Sequence, residues 1–346
     1  MGTIIIHAGM PKTGSTSVQR WIIDNSARLR QEHGIQVVVA KDATGGHSSD
    51  ELRLEPYESG RVNSGPLVKA WIGTQRSSAI AERFVEDLAC FAERSAGVLV
   101  TAEALSQVFW RIDEPFLLGF EDLARRHDVR VAYYVRPQHA AIEANWREAG
   151  YKQGLTPSQY VVEQAKQGLH YLPTLEAVRR LAPSIEFGMR PSQLDLSQGT
   201  NPVEDFVRRF VSLPEDCPNV HSNPGLPLQL VNMLRLAPEG RFWHGNGAVE
   251  TYPRWKYSAV FEGLDIVDSE RIARSRLILQ QYSHEVFEEE NQALIRQLAW
   301  PIDAFVPPVD GLDDGWDIGE LDALWTPDAS EAELALLLHA LRAALG

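Results

Sequence analysis

The run Thr3-Ile4-Ile5-Ile6-His7-Ala8 does most to restrict what this 346-residue chain can fold into. Three consecutive isoleucines without polar alternation are the mark of a strand covered on both faces. Gly9 ends the run, and helical spacing begins within a few residues. Val18, Trp21, Ile22 and Leu29 fall on one side of a helix expected over residues 15–31. A doubly covered strand that feeds a helix belongs to a parallel sheet with helices packed on both of its faces.

The alternation continues along the chain. Strands are expected at 36–40, 97–101, 129–135 and 185–189. Helices are expected at 78–95, 115–127 and 138–149, with another opened by Thr156-Pro157, the threonine as cap and the proline in the first turn. Residues 41–66, rich in Gly, Ser and Asp, are expected to form a long loop. From about residue 202 the helical pattern dominates. It is interrupted by an aromatic and glycine-rich excursion at 236–266 and ends in an Ala/Leu helix at 329–345. The expected architecture is one α/β domain over 1–346: a mostly parallel sheet with helices on both faces (core about 1–215) and a helical C-terminal part (about 216–346).

Composition narrows the partners. A hydrophobic content of 44% with 23% charged residues is that of a soluble globular chain. No apolar stretch reaches the roughly eighteen residues of a membrane helix, so stable membrane insertion is not expected. The first apolar run is too short, and lacks the basic leader, for a secretory signal. Cys90 and Cys217 stand far apart without metal-ligand spacing, which predicts no disulfide, no metal site and a cytoplasmic chain. A formal charge of −14 repels nucleic acid and anionic lipid. Any anion this chain binds must be held by a local arrangement.

Such an arrangement is written at residues 9–16, Gly9-Met10-Pro11-Lys12-Thr13-Gly14-Ser15-Thr16. A glycine-bounded turn between a buried strand and a helix gathers backbone N–H groups, and the helix N-terminus adds a partial positive charge. The general nucleotide loop is GxxxxGK[ST]. Here both glycines and the last threonine keep that spacing, but Ser15 replaces the final lysine and Lys12 lies inside the loop.

"GMPKTGSTS" resembles the 5′-phosphosulfate-binding loop of the sulfotransferase family, most closely its bacterial branch. The resemblance implies a P-loop-like α/β fold, 3′-phosphoadenosine-5′-phosphosulfate (PAPS) as sulfuryl donor, and no metal. It implies that Pro11, Lys12, Thr13, Gly14, Ser15 and Thr16 hold the 5′-phosphate, with Lys12 neutralising the leaving phosphate as the P–O–S bridge breaks. A second family motif, a strand ending in arginine with a serine eight residues on, is matched by Arg136 at the end of the strand expected at 129–135. Ala144 stands in place of the serine. Arg136 is thereby assigned to the 3′-phosphate, with neighbouring Asn145 as a substitute donor. Lys152, in the following "WREAGYKQG", is a further candidate for phosphate or acceptor.

The acceptor hydroxyl must lose a proton during transfer. Glu103, just past the strand expected at 97–101, ranks first as general base, His7 second and His47 third. The acceptor is expected to be a carbohydrate or another small metabolite, with Trp243, Trp255 and Tyr257 as candidate stacking platforms. The competing expectations are a P-loop kinase or NTPase, and a non-catalytic relative that binds the nucleotide.

Overall fold

The computed structural model describes residues 2–10, 13–42, 52–60, 62, 77–102, 105–148, 150–167, 169–192, 201–213, 228, 231–232, 268–300, 312, 315–326 and 339. Tertiary contacts divide the chain into two compact units.

The first unit comprises Met1–Pro137, His170–Ser222 and Glu289–Phe305. Its described residues form a six-stranded sheet of β1 (Thr3–His7), β2 (Ile35–Asp42), β3 (Leu52–Pro56), β4 (Gly97–Thr101), β5 (Asp128–Val135) and β6 (Glu186–Pro191), in the order β3-β2-β4-β1-β5-β6. β1 is parallel to both its neighbours, β4 and β5; β2 pairs parallel with β4 and β6 with β5. The chain is therefore α/β with a mostly parallel sheet.

Side chains alternate across the strands, so each face meets its own layer. On one face Ile5, Val37, Val39, Leu99, Ala132 and Tyr134 pack with Val18, Trp21, Ile22 and Leu29 of α1 (Ser15–His33) and with Val203 and Phe206 of α8 (Pro202–Phe206). Against the other face lie α2 (Ser77–Arg94), α3 (Ser106–Trp110) and α4 (Glu114–Ala124). There Phe84, Phe109, Phe116, Phe120, Tyr133 and Phe187 form a chain of rings with centroids 5.2 to 6.4 Å apart. α7 (Tyr171–Leu181) completes the crossover between β5 and β6.

The stretch expected as a loop at 41–66 contains β3, which pairs antiparallel with β2 from Val38↔Pro56 to Asp42↔Leu52. This corrects the loop assignment. Leu54 is buried, its N–H donates to Asp87 Oδ2 at 2.9 Å, and Glu55 forms a 2.9 Å ion pair with Lys41 across the strands. A short strand with charges at alternate positions and a terminal proline is how a sheet edge is kept from recruiting another chain. The same traits hide it in a polar stretch of sequence.

Chain geometry near β6 is tight. A Cβ on Gly188 would stand 2.4 Å from Phe210 Cζ, and Phe210 belongs to the π-helical turn Val207–Val211 that continues α8. Gly188→Ala is expected to destabilise the protein by about 1–3 kcal/mol, the usual consequence of overpacking. Urea denaturation checks this; an unchanged midpoint would show that Phe210 has room to move aside.

The second unit comprises Gln138–Leu169, Asn223–Glu288 and Val306–Gly346. It contains α5 (Gln138–Glu148), α6 (Pro157–Gln167), α10 (Glu320–Leu324) and the part of α9 (Ser269–Leu298) that runs to Glu288. Trp146 packs its indole on Tyr160 and Trp325, with centroids 5.1 and 5.5 Å away. Asp322 accepts from the Ser158 N–H at 2.8 Å and from its hydroxyl at 2.9 Å, which caps the start of α6 from another segment. Glu143 is held by Arg147 and Arg276; burial pushes its carboxyl up, but the Arg276 hydrogen bond and the charges of Arg147, Arg276 and His139 bring it below its ordinary value. The excursion expected at 236–266 and nearly all of the helix expected at 329–345 lie outside the described residues. No helix among the described residues is long and apolar enough to cross a membrane.

Candidate functional site

β1 is short, and its end is built by its two neighbours. His7 is level with Thr101 of β4 and Ala132 of β5. Beyond it the chain continues along β5: Ala8 N–H donates to Ala132 O at 2.9 Å and Met10 N–H to Tyr134 O at 3.0 Å. The loop after β1 is thereby carried to a point two residues short of Arg136. Ala102, the last described residue before Glu103, donates its N–H to His7 O at 3.1 Å.

From β1 the chain crosses through α1 toward β2, on the β4 side. After β5 it leaves toward β6, on the opposite side. Neighbouring parallel strands whose connections depart in opposite directions open a crevice at their carboxyl ends, where ligands of open α/β sheets gather. The loop and Arg136 occupy that end of β1 and β5.

The loop closes onto α1 through a tight turn. Thr13 donates its hydroxyl to Met10 O at 2.6 Å and its N–H to the same oxygen at 3.3 Å. Gly14 is the N-cap, at φ 90° and ψ 8°, a left-handed conformation that a side chain disfavours. A Cβ there would also lie 3.3 Å from Pro202 Cγ. The first turn of α1 contains no acidic side chain, while Arg30 and His33 lie in its last turn. The positive end of the helix dipole at Gly14 is thus not offset within its own helix. Ser15 is buried and Thr16 exposed.

His7 is wholly buried, with Nδ1 2.8 Å from Thr101 Oγ1 and the ring edge-on to Phe206 at 5.3 Å. Burial lowers its pKa from the usual 6.5 to about 3. A ring this reluctant to take a proton is a weak general base. It also ties stability to pH. Between about 6.5 and about 3 the unfolded chain binds a proton at His7 that the folded chain does not, so stability present above 6.5 is lost as the pH falls through that window. The expected slope is about 1.4 kcal/mol per pH unit. His7→Gln should flatten this limb by one proton in urea melts run between about pH 4 and about pH 7; an unchanged slope would show that His7 titrates alike in both states.

Arg136 is half-buried at the end of β5. Its carbonyl accepts from Tyr171 Oη at 2.8 Å, which anchors the strand end to α7. Burial raises the Tyr171 phenol well above its ordinary value, with the nearby Tyr133 phenol and Glu290 adding to the effect and the Arg136 charge opposing it. Below the loop, Asp205 of α8 accepts from Tyr134 Oη at 2.8 Å and forms ion pairs with Arg190 at 2.9 Å and Arg209 at 2.7 Å. The strand that carries the loop's hydrogen bonds is therefore clamped to α8 and β6.

Of the residues expected from sequence, His7, Thr13, Gly14, Ser15, Thr16 and Arg136 belong to the first unit, at the carboxyl ends of β1 and β5 and the start of α1. Asn145 lies on α5 in the second unit. Pro11, Lys12, Glu103, His47, Trp243, Trp255 and Tyr257 lie outside the described residues, and Lys152 falls in a 3-10 turn, Gly150–Gln153. Sequence reasoning missed Thr101, Tyr171 and Asp205. Thr101 had a signal, a hydroxyl closing an otherwise apolar strand; Tyr171 and Asp205 had none, because their partners come from distant segments. Among the described residues no group of three or more His, Cys, Asp or Glu is arranged to hold a metal ion. No family model, curated protein or solved structure matches the chain.

Proposed function

We propose that the chain is a PAPS-dependent sulfotransferase with a P-loop-like phosphosulfate site, acting on a hydroxyl of a carbohydrate or other small metabolite. One observation carries the reading. The glycine-bounded loop, whose sequence resembles the family's phosphosulfate loop, lies at the carboxyl end of the central strand, opens onto a helix N-terminus with no acidic side chain in its first turn, and is hydrogen-bonded along the strand that Arg136 follows.

When bound, the nucleotide supplies an activated sulfuryl group. The amides at the start of α1 and the hydroxyls of Ser15 and Thr16 hold the 5′-phosphate, where the helix dipole favours negative charge. Lys12 offsets the charge that gathers on the leaving phosphate. Arg136, with a planar fork of donors, suits the 3′-phosphate. Glu103 takes the proton from the acceptor; the lowered basicity of His7 favours the carboxylate for that role.

The test is calorimetry with the desulfated nucleotide, 3′-phosphoadenosine-5′-phosphate, at low salt and without divalent ions. Binding in the micromolar range is expected. No binding, or binding only of ATP with magnesium, overturns the assignment.

A further inference from the structure

The central strand ends on an imidazole that the fold satisfies on one side only. His7 Nδ1 is paired with Thr101 Oγ1, whereas Nε2 is buried and has no hydrogen-bond partner among the described residues. A native fold rarely leaves such a nitrogen unpaired without a reason. Its surroundings supply one. A Cβ on Gly9 would stand 3.1 Å from His7 Nε2 and 3.1 Å from Thr13 Oγ1, so the ring nitrogen and the hydroxyl oxygen flank the same point across the glycine. Thr13 spends its hydroxyl proton on Met10 O, and its oxygen keeps lone pairs for a second bond. Thr13 immediately precedes Gly14, the N-cap of α1. The unpaired nitrogen thus lies beside Gly9 and Thr13, on the loop that leads to the helix N-terminus.

We infer that His7 is a positioning residue of the anion site: when a phosphoryl group is held on the loop, His7 Nε2–H closes onto Thr13 Oγ1. This completes a chain of hydrogen bonds from Thr101 through His7 and Thr13 to Met10 O. The inference rests on the proposed reading of the loop as an anion site, and deepens it. Its geometry requires that Thr101 donate to Nδ1 and that the ring proton sit on Nε2. The ring stays neutral in this role, as its burial favours. Gly9 is required because any side chain there would fill the space across which the bond forms. Anion binding then gains a hydrogen bond that the free protein lacks, and the loop becomes tied to β4 as well as to β5.

The experiment follows the His7 ring nitrogens by 15N NMR in the full chain, with 3′-phosphoadenosine-5′-phosphate and inorganic pyrophosphate as separate probes. The expected result is the Nε2–H tautomer in the free protein and a displaced Nε2 resonance on saturation. Calorimetry on His7→Phe and Thr13→Val should each show nucleotide affinity weakened about tenfold, with no further loss in the double variant and partial recovery in His7→Gln. A merely structural role would lower the melting temperature without this coupling. An Nδ1–H tautomer, an Nε2 resonance unmoved by both probes, or additive losses in the double variant overturn the inference. A response to pyrophosphate with no binding of the nucleotide would support His7 while removing the sulfotransferase reading. Nucleotide binding that leaves Nε2 unmoved would do the reverse.

Discussion

Lys12→Ala is expected to reduce sulfuryl transfer by about 10²–10³-fold while the protein keeps its melting temperature. The reason is electrostatic. On the proposed reading, negative charge gathers on the departing phosphate as the P–O–S bridge breaks, and a cation supplied by Lys12 would be worth most at that moment. The effect belongs to the transition state, so turnover should fall much more than affinity for the desulfated nucleotide. Lys12→Arg keeps the charge but carries it on a planar fork, and intermediate activity is expected. The measurement is release of 3′-phosphoadenosine-5′-phosphate from PAPS in the presence of a mixture of hydroxylated small metabolites. A wild-type rate in Lys12→Ala, with binding intact, would remove the mechanism.

The largest effect on stability is expected at Asp205. Its carboxylate is 4% exposed and is shared by Tyr134, Arg190 and Arg209. Arg209 is 57% exposed and can turn its charge to water, so that pair contributes little. Arg190 is only 19% exposed, and Asp205→Ala leaves its charge and the buried Tyr134 hydroxyl without the acceptor they share. A loss of about 3–5 kcal/mol is expected. Asp205→Asn, which still accepts from Tyr134, should lose less. The same clamp positions β5, whose Tyr134 carbonyl holds Met10, so nucleotide affinity should weaken along with stability. Urea unfolding and calorimetry on both variants read the two effects. A cost below about 1 kcal/mol in Asp205→Ala would mean that the clamp merely decorates the fold.

Much of the first unit was legible because its strands are buried on both faces and its helices carry clear apolar stripes. The strands expected at 97–101 and 129–135 differ from β4 and β5 by a single residue at most, and the helix expected at 15–31 ends two residues early. β3 escaped notice because an edge strand of five residues with alternate charges looks like loop. No element is expected from sequence where α7 lies, although Pro173 in its first turn is compatible with a helix start. At the site, the glycines at 9 and 14 marked the turn that joins β1 to α1.

What one sequence determined by itself was local: where the chain extends, where it coils, and that a glycine-bounded turn joins the first strand to the first helix. These follow from backbone sterics and from side-chain periodicity, which act over a few residues. Tertiary structure alone decided that β1 lies between β4 and β5, that the loop is laid along β5 toward Arg136, and that His7 is stripped of solvent with one nitrogen paired to Thr101. Those facts depend on which distant segments become neighbours. Burial and hydrogen bonding across 94 residues of chain, as between His7 and Thr101, leave no periodic trace in the sequence.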